Sequence, residues 1–307
     1  MSYVKYCCGS LIAAVLLVPV SLASAQETAP YPNGTSGLKA GSVPPPGKYW
    51  LMYNRLYEAD RSVGPHGGTA VDGNGEPIDL DLTAFANVHR FIHSTDYELF
   101  GAKYAWNFVV PFVAIDVDLS NYNIHQNEFR IADFNIEPLV FEWHEPRYDF
   151  GYVYGLFAPT AERDDARPAL PGKRHWTNYF GAAGTYFFDD DRLWAASFLS
   201  RYEVSSRRND KDIRPGDNFS FEWGFSRNID KVIDIGVSGY CSWQLTLDEG
   251  TDITYTNVRD RAYAVGPEIQ YFSPRYKLGY NLRYWWEFEA VDRTQGTIAC
   301  LTIIKPF

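Results

Sequence analysis

The sequence predicts an all-β chain folded as a transmembrane, antiparallel, up-and-down β-barrel of about twelve strands. Three observations predict it. The stretch Ile78–Ile92 alternates with a period of two over fifteen residues, which is a strand with one apolar and one polar face. It is far longer than the usual strand of about 5–6 residues, and a tilted strand that crosses a bilayer needs such length. Long polar connections alternate with tight turns along the chain, as expected when short periplasmic turns and long external loops join membrane strands. Aromatic residues make up 17% of the chain, with 22 Tyr and 20 Phe against only 2 Met, a composition that favours strands over helices.

The chain opens with a secretory leader. Lys5 precedes the apolar run Leu11–Val20, and Ala23-Ser24-Ala25 is a small-x-small cleavage site. Residues 1–25 are therefore read as a signal peptide, removed before Gln26. Residues 26–47 are rich in Pro, Gly, Ser and Thr and end in Pro44-Pro45-Pro46-Gly47. They read as a linker that hangs free or tucks into a lumen as a plug. Residues 48–307 are the barrel.

Strands follow in order. Tyr49–Asp60 is the first, with two faces of similar polarity. Ile78–Ile92 is the second. Gly101–Ile115 is the third, with Tyr104, Trp106, Phe108, Val110 and Phe112 on one face. Phe129–Phe141 is the fourth. Tyr148–Ala158 gathers Tyr148, Phe150, Tyr152 and Tyr154, and Trp176–Phe188 is thinned by Gly181 and Gly184. Leu193–Val204 sets Trp194, Ala196, Phe198 and Tyr202 on one face. Phe219–Ser226 sets Phe219, Phe221, Trp223 and Phe225 against Glu222. Val232–Leu247 opposes Ile233, Ile235 and Val237 to Asp234 and Gln244. Arg261–Phe272 opposes Tyr263, Val265, Ile269 and Tyr271 to Glu268. Tyr276–Phe288 opposes seven apolar or aromatic residues to Lys277, Asn281, Arg283 and Glu287. Thr297–Phe307 is the last. Long loops are predicted over Arg61–Pro77, Asp116–Glu128, Pro159–His175, Ser205–Asp217 and Asp248–Asp260. Turns are predicted at Asp189-Asp190-Asp191, Asn228–Lys231 and Ser273-Pro274-Arg275. An even strand number puts both ends of the barrel on the periplasmic side.

In such a barrel the apolar faces meet lipid and the polar faces meet the lumen. The predicted lumen-lining residues are Asp79, Asp81, Asn87, His89, Glu222, Asp234, Gln244, Glu268, Lys277, Arg283 and Glu287. Acids and bases are mixed, which suggests pairing across the lumen. On this assignment Arg90 faces lipid, tolerable only near the interface. Tyr and Trp near strand ends suit interfacial girdles, and the chain ends on Phe307. A terminal Phe fits recognition by the outer-membrane assembly machinery, although Lys305 interrupts its face.

The net charge is −10 with no basic stripe, so nucleic acid is not a predicted partner. Cys241 and Cys300 fall on non-adjacent strands of the mature chain and are read as free thiols, since two cysteines make no disulfide scaffold. Of the six histidines only His89/His93 loosely approach metal spacing, and four apart suits a helix and not a strand end; Asp79/Asp81 are more readily paired with a neighbouring Arg than with a metal. No nucleophile motif is present. No cofactor, metal or catalytic residue is predicted. The charge-rich stretch Ala161–Arg174 reads as a solvated external loop, with a polar gate as the sharper alternative.

The Pro-rich stretch Pro44–Gly47, Asp79-Leu80-Asp81, Phe100-Gly101-Ala102 leading into Val109-Val110-Pro111, Phe157-Ala158-Pro159-Thr160, Pro215-Gly216-Asp217, Gly236–Tyr240 and Gly266-Pro267 carry a family resemblance. Over residues 44–307 the pattern resembles the outer-membrane transporter family named for the meta-pathway of phenol degradation. One departure is Ile131-Ala132-Asp133, where the family pattern has Gly-Asp opening the fourth strand. The resemblance implies a barrel that admits hydrophobic aromatic compounds, and it supplies no catalytic residues.

The functional expectation is a channel or transporter in the outer membrane of a Gram-negative bacterium, for passive uptake of small hydrophobic molecules, aromatic hydrocarbons among them. Its partners are outer-membrane lipids, the hydrophobic ligand and the assembly machinery. Two alternatives stand beside it: a structural or adhesive barrel with a plugged lumen, and a barrel enzyme such as a lipase using His89.

Overall fold

The computed structural model describes residues 28–42, 44–253 and 257–307. The predicted signal peptide lies outside the described residues. Thirteen antiparallel strands form one sheet that closes on itself. They are β1 (Gly47–Val63), β2 (Leu80–Leu99), β3 (Ala102–Leu119), β4 (Ile124–Ile131), β5 (Phe134–His144), β6 (Tyr148–Ala158), β7 (Thr177–Phe187), β8 (Trp194–Ser205), β9 (Asn218–Ile229), β10 (Ile233–Gln244), β11 (Arg261–Ser273), β12 (Leu278–Val291) and β13 (Arg293–Pro306). Apart from β4 and β5, each strand pairs with its chain neighbour, and β1 pairs with β13 to close the ring. Strands β4 and β5 share one stave: β4 pairs with the upper half of β3, Phe112–Leu119, and β5 with its lower half. The thirteen strands thus make twelve staves. No described helix is long and apolar enough to span a membrane; the chain spans with strands.

The polarity is that of a lipid-bounded barrel. Phe180, Phe225, Ile235, Val237, Ile269, Leu282 and Leu301 are exposed on the outer wall, while Glu137, Glu222, Asp234, Glu268, Arg283 and Glu287 are buried inside. Period-two alternation places both sets with one backbone geometry. Aromatic rings collect at the two rims. Tyr186, Phe188 and Trp194 lie near the tight turns, and Phe219, Trp243, Tyr263 and Phe288 run ring to ring near the long loops, at centroid spacings of 5.8–6.0 Å.

The expected long loop at Asp116–Glu128 is instead a continued hairpin. Strand β3 runs to Leu119, β4 starts at Ile124, and a short 3-10 turn with Asn123 at φ 52° joins them. The alternation persists through polar residues: Val117 is buried while Asp116 and Asp118 lie on the other face. Polarity reads as loop in sequence, but above the membrane a polar outer face is what a strand needs.

Free thiols at Cys241 and Cys300 lie on β10 and β13, which are not neighbours in the ring. At the tight-turn end the Phe307 N–H donates to the Lys48 carbonyl (3.0 Å), so the first and last staves end together.

A charge on the outer wall tests this orientation. Leu282→Arg is expected to cost about 2–4 kcal/mol in urea unfolding from liposomes, the cost of Arg within the apolar band, and Asp81→Arg at the rim about 0–1 kcal/mol. Equal costs would contradict the assignment of Leu282 to lipid.

Candidate functional site: the filled lumen

Residues 28–42 lie inside the barrel. The chain rises from Pro44-Pro45-Pro46 at the tight-turn end and runs up the lumen to Thr28, whose hydroxyl accepts a bond from Lys173 Nζ (2.9 Å) in the β6–β7 loop. The segment has no regular secondary structure, so its N–H groups need side-chain acceptors. Carboxylates on the wall supply them. Glu222 on β9 accepts from Tyr31 Oη and from the N–H groups of Gly34 (3.0 Å), Thr35 (3.3 Å) and Ser36 (2.8 Å). Glu268 on β11 accepts from the Leu38 N–H (2.9 Å). Asp234 on β10 holds the Lys39 ammonium at 2.7 Å, and Asp149 on β6 accepts from Ser42 Oγ (2.6 Å). From the other side, Arg55 donates to the Asn33 carbonyl (3.3 Å).

The fit is close enough to dictate glycine in the segment. Gly37 has φ +68°, and a Cβ there would lie 2.3 Å from Glu268 Oε1. At Gly41 a Cβ would lie 2.2 Å from the backbone of Gly184 on β7. A side chain at either position would collide with the wall.

A second cluster fills the lumen beside Tyr31. Glu137 on β5 accepts from Arg90 Nη2 (2.6 Å), Arg201 Nη2 (3.0 Å), Tyr179 Oη (2.7 Å) and Asn107 Nδ2. Arg201 lies over the Tyr31 and Tyr179 rings, at 4.2 and 4.5 Å, a pair of cation–π contacts in a buried site. Glu137 is turned into the cluster by a bulge at Pro138, where the β5–β6 register shifts between Ile136 and Leu139. On the far side Glu287 accepts from Tyr57 Oη (2.8 Å), Tyr240 Oη and the Gly296 N–H (2.9 Å). A polar cavity of about 230 Å³ remains between Thr28–Asn33 and this wall.

The external loops are braced above. Arg208 bonds Asp165 (3.2 Å) and Asp210 (2.8 Å), and Lys211 also reaches Asp165, which ties the β6–β7 loop to the β8–β9 loop. Arg214 reaches Glu249 (3.4 Å) on the β10–β11 loop. Ala169 and Leu170 of the β6–β7 loop are buried, and Ala169 packs on Leu80 and Val117. The charge-rich stretch is thus a structured cap with an apolar underside.

Of the residues predicted to line the lumen, Glu222, Asp234, Gln244, Glu268, Arg283 and Glu287 are buried on the inner face of β9 to β12. Gln244 bonds Asp248 (2.8 Å) at the upper rim, and Arg283 donates to Thr302 (2.9 Å). Five others are elsewhere. Asp79 and Asp81 are exposed at the outer rim, the first preceding β2 and the second on it. Asn87 bonds Asn54 (2.8 Å) on the outer wall. His89 is stacked on Trp50, which donates to its Nδ1 (3.0 Å), and meets the edge of Phe112. Lys277 is exposed in the β11–β12 turn with φ 50°, outside the alternation of β12.

The face of β2 is therefore opposite to the one predicted. The set Leu80, Leu82, Ala84, Ala86, Val88 and Arg90 points inward. Its upper members are apolar because the loop cap packs on them, and Phe85 and Phe91 hold the lipid side. Arg90, the misfit on the predicted lipid face, was the signal that could have turned the strand round. Arg201, Tyr179 and Glu137 escaped notice because each looks unremarkable until the ring closes. Among the described residues no group of three His, Cys, Asp or Glu could hold a metal.

On the outside, the wall carries an apolar groove of about 670 Å³ lined by Trp194, Phe225, Ile235, Val237, Pro267, Ile269, Leu282 and Tyr284. The β11–β12 ladder omits Gly266 and Pro267 there, as a residue without an N–H requires.

A closed ring of lipid-faced staves with a polar interior defines an outer-membrane β-barrel protein of a Gram-negative bacterium. Within that class the chain belongs to the family described as "Putative MetA-pathway of phenol degradation", which matches residues 59–302. An outer membrane channel from Pseudomonas putida F1 has a similar structure, with TM-score 0.75 over 87% of this chain and 97% of that one at 13% identity; that likeness speaks to the fold. The β-domain of a Bordetella autotransporter aligns over 85% of this chain and 100% of its own, at 10% identity and TM-score 0.49. No curated protein matches the chain significantly.

Two predictions follow from the ion pairs. Glu137→Ala leaves Arg90 and Arg201 without their shared carboxylate in a buried site, and is expected to cost about 3–5 kcal/mol in urea unfolding. A loss under about 1 kcal/mol would show that the cluster is dispensable. Outside the membrane, burial raises the Asp165 carboxyl, but hydrogen bonds from Lys211 and Arg163 and the charges of Arg163 and Arg208 outweigh it and hold the group below the ordinary carboxylate range. A depressed folded-state value means that the brace is fully present above an unfolded Asp pKa of about 3.9 and is lost as pH falls through the folded value. Hydrogen-exchange protection in the β6–β7 loop, taken relative to the intrinsic rate at each pH, should stay flat from neutral pH to about pH 4, then fall. Asp165→Asn should abolish that step.

Proposed function

We propose that the barrel carries small hydrophobic molecules, aromatic compounds among them, passively across the outer membrane. Family membership supports the aromatic class, since the family's description is that of a phenol-degradation pathway. The structural observation that carries the reading is the outer groove at Pro267. Seven of its thirteen lining residues are Trp, Phe, Ile, Val, Leu or Tyr, with Ser226, Arg227, Glu268 and Arg283 also on its lining, and it lies where the β11–β12 hydrogen-bond ladder is interrupted. The lumen axis, by contrast, is occupied by residues 28–42 and buried charged side chains. An apolar solute there would leave polar groups unpaired at a cost of about 1–3 kcal/mol each. The groove is therefore the favoured resting place for such a solute.

The plugged lumen also suits the structural or adhesive alternative, and transport separates the two. Proteoliposomes holding the full mature chain should take up radiolabelled toluene or phenol faster than empty vesicles. Val237→Trp, which fills the groove, should lower that uptake several-fold while the unboiled protein keeps its fast gel migration. Uptake no greater than in empty vesicles would overturn the channel reading. Uptake unaffected by Val237→Trp would overturn the groove as its route.

A further inference from the structure

Residues 28–42 make seven hydrogen bonds to four carboxylates of the wall, those of Glu222, Glu268, Asp234 and Asp149. Hydrogen bonds to a charged group are stronger than neutral ones, and each donor here also offsets the burial of a carboxylate. The segment is thus an intramolecular ligand that presents four backbone N–H groups, two hydroxyls and the Lys39 ammonium to acids. Two further observations mark the contact as separable from the barrel itself. Among the described residues no strand of the wall pairs with the segment, and it is joined to β1 through Pro44-Pro45-Pro46 at the lumen's lower mouth.

Withdrawal would leave a lumen rich in acid. Eight buried carboxylates stand on the strands, the four anchors together with Glu137, Glu142, Glu203 and Glu287. Facing them are Arg55, Arg90, Arg192, Arg201, Arg283 and Arg293, with His144 between Glu142 and Asp149, and Arg90 and Arg201 are both spent on Glu137. The four anchoring acids would lose seven donors and one positive charge together. Water entering the lumen would replace the hydrogen bonds, mobile cations would balance the exposed charge, and rings of carboxylates select cations in pores.

We propose that residues 28–42 are an autoinhibitory plug, and that the barrel they close is a cation-selective pore. This goes beyond hydrophobic uptake and does not depend on it: the groove is on the outer wall and the ion path is the lumen.

The test uses the full mature chain in planar bilayers. A Cβ at Gly224 on β9 would lie 3.3 Å from Leu38 Cα, close enough for paired cysteines there to approach the Cβ separation of about 3.5–4.5 Å that a disulfide needs. The double variant Leu38→Cys/Gly224→Cys should be silent when oxidised and should conduct when reduced with dithiothreitol. The parent, with Cys241 and Cys300 alone, should not respond to either treatment. Glu222→Gln, which removes the charge that holds four of the seven bonds, should raise open probability about ten-fold, the equivalent of roughly 1.4 kcal/mol. In a potassium chloride gradient the reversal potential of the open state should lie on the potassium side. Heat-modifiable gel migration confirms that each variant is a folded barrel. Equal currents in the oxidised and reduced forms would overturn the plug. So would silence of both the reduced form and Glu222→Gln. A chloride-side reversal potential would overturn the selectivity.

Discussion

In hydrocarbon there is no water to bond a free N–H or C=O, and each unsatisfied group costs several kcal/mol. Closure of the sheet through the β1–β13 and β2–β3 pairings is the answer to that constraint, and the rest of the molecule follows from it. A closed ring has one face to lipid and one to its own interior, so alternation sends every second residue inside whatever its charge. The polar groups that a soluble protein would display to solvent are gathered into a narrow space. There they must find each other or find a guest. The Glu137–Arg90–Arg201–Tyr179 cluster shows the first solution, and residues 28–42 show the second.

The same logic explains why the loop cap is apolar beneath and charged above. Its lower surface, through Ala169, covers the inward Leu80 and Val117, while Arg208, Asp165, Asp210 and Lys211 knit the loops together outside. The outer rim is polar where Asp81, Asp116 and Asp118 leave the membrane, so one strand changes solvent along its length. Polarity is a matter of height on the barrel as well as of face.

The stave number, the antiparallel order and the two girdles were legible because lipid imposes a single rule, period two, on every strand. The inner acids of β9 to β12 were legible for the same reason: their opposing faces carry large aromatics, which leaves no doubt about which side is greasy. Strand β2 was misread because its two faces differ in the wrong currency. The inward residues Ala84, Ala86 and Val88 are apolar but small, and the outward set mixes Phe85 and Phe91 with Asn87 and His89. Count of apolar residues pointed one way, size and Arg90 the other. The division of the fourth stave at Ala132-Asp133 follows from long-range contacts, since Asp133 accepts the N–H groups of Ala161 and Lys173 (2.8 and 2.9 Å) from a distant loop. The place of residues 28–42 was open in the sequence because an irregular Gly/Pro-rich stretch looks alike in solvent and in a lumen. Only the wall facing it gives its glycines a reason.

The short proline hinge at residues 44–46 has a thermodynamic consequence. A segment tied a few residues from its own site is present there at an effective concentration in the millimolar range, whatever the amount of protein in the membrane. Occupancy of the lumen is then independent of barrel density, and modest intrinsic affinity suffices to keep it filled. A soluble competitor must either reach comparable concentration or bind the carboxylates far more tightly than the segment does. The tether therefore sets a threshold: traces of a competing ligand leave the barrel as it is, and only abundance changes it.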